Sequence, residues 1–171
     1  MNDEKGRYHM AVQTHQPKLP SGLSRLLFRM PIYLYKLRLG WLLGGRFLLL
    51  NHIGRKSGLP RQAVVEVVRH DSASDTYIIA SGFGDQAQWF QNLMQTPDVT
   101  IQVGRRKLAV HARRLSPDEA ADEMADYARR NPKAVRSLAG FMGFEVDGTE
   151  EGYRQLGEHL PFVALEKRDA K

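Results

Sequence analysis

Three cations, two glycines and a hydroxyl are crowded into Asn51-His-Ile-Gly-Arg-Lys-Ser-Gly-Leu-Pro-Arg61, between the apolar runs 47–50 and 63–68. Gly54 and Gly58 let the backbone reach positive φ or come close to a bound group, and Pro60 fixes one corner. Arg55, Lys56 and Arg61, with Ser57 and several unpaired turn N–H groups beside them, suit a phosphate or a row of carboxylates. The order differs from a nucleoside-triphosphate loop, because the Lys-Ser pair precedes the closing Gly58 and no helical pattern follows. Taken alone, the stretch reads equally well as a solvated basic turn.

A second glycine motif, Gly82-x-Gly84-x-x-Ala87, matches the dinucleotide fingerprint and sits between a strand pattern and a helix pattern. The rest of the context is wrong for it. The helix that follows spans only two to three turns by pattern, the next strand enters an antiparallel hairpin, and no βαβ repeat follows. What survives is the close backbone approach that Gly82 and Gly84 permit and the favour a helix N-terminus gives an anion.

Composition narrows the field. The chain of 171 residues fits one domain with a proper core, and 42% hydrophobic with 26% charged residues is ordinary for a globular protein. The absence of cysteine removes disulfides, thiolate nucleophiles and thiolate metal sites. The six histidines show no metal-ligand spacing, so no metal is expected. A net charge of +6 and a pI near 9.7 favour an anionic partner: nucleic acid, an anionic membrane face or a polyanionic small molecule.

The elements that must position these residues follow from periodicity and turn chemistry. Residues 1–22 read as a flexible leader lacking the apolar core of a signal peptide. Residues 23–45 read as an amphipathic helix whose arginines and lysine argue against a membrane span. Its bland reading packs Leu34, Leu37 and Trp41 on the core; a sharper one lays it on anionic lipid as a peripheral anchor. Strands are expected over 46–52, 62–70, 76–81, 99–103, 107–115 and 162–166, with a short helix over 88–95. Ser116-Pro-Asp-Glu119 carries the start signals of a longer helix, two more helical pieces follow, and the last of them is capped near Thr149. The sum is an α+β domain over 46–171, a mostly antiparallel six-stranded barrel with peripheral helices.

Gly54-Arg-Lys-Ser-Gly-x-Pro-Arg61, then Ala80-Ser-Gly-x-Gly84, then Trp89-Phe-x-Asn-Leu93 followed by Pro97 and Val99, resemble in order the deazaflavin-dependent nitroreductase family. The resemblance runs from about Phe47 to the final strand. It implies a split β-barrel related to FMN-binding barrels, and coenzyme F420, an 8-hydroxy-5-deazaflavin with a phosphodiester and an oligoglutamate tail, as hydride donor. By the same resemblance Gly54, Arg55, Lys56, Ser57, Gly58 and Arg61 cradle the phosphate and carboxylates. Ala80, Ser81 and Gly82 line the ring edge, and Trp89, Phe90 and Asn92 form its far wall. Plain helix-to-barrel packing is the competing reading for Trp89 and Phe90.

Two departures bear on the chemistry. Family members of the nitroreductase type often carry a lysine where Gly82 stands, and they present several tyrosines near the C-terminal helix where this chain has only Tyr153. An apolar stretch, 138–144, stands nearby instead. The expected reaction is hydride transfer from the reduced deazaflavin to a quinone, activated alkene or nitro compound. Tyr153 or solvent would protonate the product, and Ser81 would polarise the ring or acceptor. FMN, haem or another anionic ligand in the same barrel is the alternative. A nucleic-acid module is disfavoured, because the basic residues are spread through the chain and the aromatic residues sit in buried patterns. A cytoplasmic protein is expected, membrane-associated if the anchor holds. Related barrels commonly dimerise, which leaves a homodimer open.

Overall fold

A computed structural model describes residues 44–142 and 144–168. The leader expected over 1–22 lies outside these residues, as does the helix expected over 23–45 apart from Gly44 and Gly45.

Six strands close into one barrel: β1 (Phe47–Ile53), β2 (Pro60–Asp71), β3 (Thr76–Ala80), β4 (Asp98–Val103), β5 (Arg106–Arg114) and β6 (Phe162–Lys167). Their order is β1-β2-β3-β6-β5-β4, and every neighbouring pair is antiparallel. The short helix α1 (Gln88–Gln95) follows β3 after a single 3₁₀ turn, Gly84–Gln86. Three further helices, α2 (Pro117–Arg130), α3 (Pro132–Met142) and α4 (Glu150–Glu158), lie between β5 and β6 in the chain.

Alternation along the strands explains the packing. In β4, Val99, Ile101 and Val103 are buried in the barrel while Asp98 and Thr100 face solvent. β3 and β6 differ, being apolar at consecutive positions because both of their faces are covered. Ile79, Val163 and Leu165 point into the barrel, whereas Ile78, Phe162 and Ala164 meet the helical layer through Met124, Tyr153 and Leu156.

Local chemistry fixes where that layer starts. Ser116 and Glu119 form a reciprocal capping box at the head of α2, with the Ser116 hydroxyl accepting from the Glu119 N–H and Pro117 in the first turn. A cap of this kind stabilises by about 1 kcal/mol. Thr149 caps α4 by accepting from the Gly152 N–H. One expectation shifts: Pro60 is the first residue of β2 rather than a corner of the turn before it, and β2 runs two residues further into that turn than its apolar pattern indicates.

Because all neighbours are antiparallel, the C-terminal ends of β1, β3 and β5 and the N-terminal ends of β2, β4 and β6 open at the same end of the barrel. Both glycine motifs therefore lie at that end. Helix α1 stops it, with Phe90 and Leu93 buried among the barrel's interior side chains.

Candidate functional site

The β1–β2 turn is closed by its own backbone. The Gly54 N–H donates to the Leu59 carbonyl at 2.9 Å, and the Gly58 N–H donates to the Gly54 carbonyl at 2.7 Å. Gly58 sits at φ +65, and a side chain on Gly54 would stand 2.8 Å from Ser57 Oγ. The glycines are thus needed by the turn itself. The expectation of several unpaired N–H groups is corrected: the Ser57 N–H also donates inward, to the Gly54 carbonyl, and the Arg55 N–H donates to Asn92 Oδ1. What the turn leaves exposed is mainly side chains.

Those side chains are cations without local acids. Residues 47–65 contain no Asp or Glu. Arg55 donates only to neutral amides, to Gln88 Oε1 at 3.0 Å and Asn92 Oδ1 at 3.1 Å. Lys56 and Arg61 are exposed and have no hydrogen-bond or ion-pair partner among the described residues. Elsewhere on the described surface arginines commonly meet carboxylates, as Arg46 does Glu66, Arg106 does Asp75 and Arg114 does Asp85. This end of the barrel therefore carries uncompensated positive charge.

Helix α1 divides its residues between two tasks. Phe90 is 2% exposed inside the barrel, with the Arg114 guanidinium over its ring, and packs in the core. Asn92, 5% exposed, faces inward as well and binds Arg55 and His52, so it holds the turn. Trp89 is half-buried against the barrel cluster and meets Phe90 edge-on, and it is the member of the aromatic pair that keeps an exposed surface.

Past β3, Ser81 is buried at 1% exposure. Its N–H donates to the Pro161 carbonyl, and its hydroxyl donates to the Gly84 carbonyl at 2.7 Å, while Gly84 takes φ +63. In this geometry the hydroxyl proton is held by the turn to Gly84. Ala80 packs on the helical layer, and Gly82 lies where an added side chain would touch Leu138 of α3. Residues 80–82 share the barrel end with the basic turn, and no described hydrogen bond joins the two.

Tyr153 is displaced altogether. It lies on α4, 7% exposed, among Met124, Leu156 and Phe162 on the outer face of β3 and β6. The phenol ring packs within the helical layer.

Two residues join the site that the sequence motifs passed over. Gln88 supplies one of Arg55's acceptors. His52 is 6% exposed, and its Nδ1 stands 3.0 Å from Asn92 Nδ2. The alternation Leu48, Leu50, His52 already puts this imidazole on the inward face, and a polar residue at that parity beside a turn was the available signal. Burial, opposed by the Ile53 backbone and reinforced by the Arg61 charge, holds its pKa below the ordinary histidine value.

A groove of about 490 Å³ on the flank of α2 and α4 is a poorer candidate. Its charged side chains neutralise one another, Arg69 with Glu123, Arg129 with Asp126 and Arg154 with Asp122.

The barrel and the acid-free basic turn at its end define a split-barrel protein suited to an anionic ligand. The family model of F420H(2)-dependent quinone reductases matches residues 36–139. A Mycobacterium tuberculosis protein described as "Putative F420H(2)-dependent quinone reductase" is 36% identical over 123 residues, covering 71% of this chain and 89% of that relative. A further F420H(2)-dependent quinone reductase of the same organism is 36% identical over 85 residues, or 48% of this chain, which spans 52% of that relative's length. A solved F420-H2-dependent reductase shares the fold at a TM-score of 0.50 and 18% identity, over 71% of this chain and 94% of that one. This chain belongs to the F420H(2)-dependent quinone reductase family. It is an oxidoreductase, and coenzyme F420 is the family's cofactor.

The described residues fit that coenzyme at its anionic part, because a phosphodiester and glutamate carboxylates answer the unpartnered Lys56 and Arg61 and the amide-held Arg55. Among the described residues no helix is long and apolar enough to cross a membrane, and the expected lipid anchor over 23–45 lies outside them.

Proposed function

We propose that this chain reduces a quinone with hydride from reduced coenzyme F420, held at the α1-stopped end of the barrel by Arg55, Lys56 and Arg61. When bound, the coenzyme supplies hydride from C5; the quinone takes that hydride and one solvent proton to become quinol, and the coenzyme is left oxidised. The protein's own work is placement. Gln88 and Asn92 aim Arg55, Lys56 and Arg61 supply point charge and a planar fork for the anionic tail, and Trp89's exposed surface offers the ring a wall beside Ala80 and Gly82. Electron-poor nitro compounds and activated alkenes are further acceptors of the same kind, since each accepts hydride at an electrophilic atom.

The observation that carries the reading is the run of cations in a stretch without a single acid. Fluorescence titration of the purified protein with oxidised coenzyme F420 and with FMN tests it. FMN has one phosphate and no glutamates, so F420 is expected to bind more tightly and with the steeper loss as salt rises. Equal affinities, or F420 affinity indifferent to salt, would end the proposal.

The packing of Tyr153 in the helical layer and the turn-closing bond of Ser81 support solvent as the proton source. Tyr153→Phe is expected to keep the single-turnover rate of quinone reduction within about twofold, whereas loss of a general acid costs roughly a hundredfold or more. A fall of that size would return the phenol to the chemistry.

A further inference from the structure

The buried polar side chains among the described residues are His52, Ser81 and Asn92. Ser81 closes its own turn, and the other two bond each other. Asn92 Oδ1 lies 3.0 Å from the Arg55 backbone N and 3.1 Å from its Nη1. Both Arg55 groups can only donate, so the Asn92 atom facing them has to be the oxygen. Asn92 Nδ2 is thereby turned to His52, and His52 Nδ1 has to accept. An accepting Nδ1 leaves the neutral ring's hydrogen on Nε2.

We infer that His52 is a positioning residue for the coenzyme site: by accepting from Asn92 it fixes the amide that orients Arg55, and its protonation loosens the basic turn's hold on an anionic ligand. The inference rests on the basic turn being the anion site. A proton on Nδ1 would face the Asn92 NH₂ group. The amide would then have to turn over and present its own donors to Arg55, with both Arg55 hydrogen bonds to Asn92 lost.

The surrounding charges set the direction. From β2, opposite His52 in the ladder, Arg61 opposes an imidazolium. Helix α1 contributes no titratable side chain, and Arg55 approaches through Asn92. On β4 the acid at this end is Asp98, exposed and engaged with His111 and Arg168. With no carboxylate among the described residues facing the ring, protonation is deferred to pH below the ordinary histidine range. The unfolded chain takes that proton more readily, so the stability contributed by the neutral ring is present above the ordinary histidine value and is lost as pH falls.

Two measurements test this. Imidazole ¹⁵N NMR of the coenzyme-free protein is expected to show His52 as the Nε2–H tautomer; the Nδ1–H form would overturn the inference. F420 affinity is then followed from about pH 8 down to about pH 5 in the wild type, His52→Asn and His52→Leu. The coenzyme's own titration is common to all three, so differences between them isolate His52. His52→Asn keeps an acceptor oxygen near the Nδ1 position without a titrating ring. It is expected to bind within about threefold of the wild type at neutral pH and to lose the wild type's additional acid weakening. His52→Leu is expected to bind roughly tenfold more weakly at neutral pH. An acid limb retained in His52→Asn, or wild-type affinity in folded His52→Leu, would overturn the inference. Failure of the anion-site reading looks different, with F420 affinity untouched by removal of Arg55, Lys56 and Arg61 while the tautomer is still Nε2–H.

Discussion

The variant Arg55→Ala/Lys56→Ala/Arg61→Ala is expected to bind coenzyme F420 on the order of a hundredfold more weakly than the wild type. Its thermal midpoint should stay within about 4 °C. The two effects separate because of what the side chains touch. Lys56 and Arg61 have no partner to lose among the described residues, and Arg55 donates to neutral amides at a partly exposed site, so folding gives up little. Binding gives up all three charges of a stretch that contains no acid. The salt dependence of affinity should flatten together with its magnitude, since the ion-screened attraction is what has been removed. Arg55→Lys alone keeps the charge but not the guanidinium whose Nη1 donates to both Gln88 and Asn92, and belongs between the two extremes. Unchanged affinity with an unchanged salt slope in the triple variant would remove the basic turn from the site.

The strands and helices of the described residues were largely legible because each is marked twice, by periodicity and by an end signal. The capping box at Ser116 and Glu119 is one such mark, and the Thr149 cap is another. The dinucleotide-like glycines were rightly set aside: α1 leads into β4, which is antiparallel to both of its neighbours, and no parallel crossover forms. What escaped was the direction in which adjacent residues point. Trp89 and Phe90 are neighbours in one motif, yet about 100° apart on a helix, so one enters the barrel and the other stays at its edge. Ser81 and Tyr153 carry reactive groups that a linear motif cannot distinguish from packing or turn-closing groups. The turn to Gly84 and the helical layer show what the two groups touch. The basic turn was found by composition, but its amides were misjudged, because glycines that admit a ligand and glycines that close a turn look alike in sequence. His52 is the converse case, an inward-facing polar residue visible by parity but carrying no motif.

Gly157→Ala is expected to destabilise the protein by about 3 kcal/mol, against the general preference of helices for alanine. Such a loss corresponds to a midpoint drop of roughly 6–12 °C for a chain of this size. The sign is decided by what an added methyl would meet. It would stand 2.5 Å from the Ala120 carbonyl oxygen, 2.8 Å from Ala121 Cα and 2.8 Å from Met124 Cβ, where α4 crosses α2. Carbonyl and Cα atoms cannot change rotamer, so the helices must move apart, and Ala120, Ala121, Met124 and Leu156 would lose close packing together. Gly140 on α3 makes the opposite case, as nothing among the described residues lies within 4 Å of its added methyl. Gly140→Ala should therefore raise stability by about 0.5–1 kcal/mol through helix propensity and a less flexible unfolded chain. Chemical denaturation of both variants decides the point. If Gly157→Ala proves as stable as the wild type, α2 and α4 are not held at the close approach that seals β3 and β6 from solvent. F420 affinity measured well below the midpoint should be unchanged in both variants, because the helical layer lies outside the barrel and the basic turn is held by β1, β2 and α1.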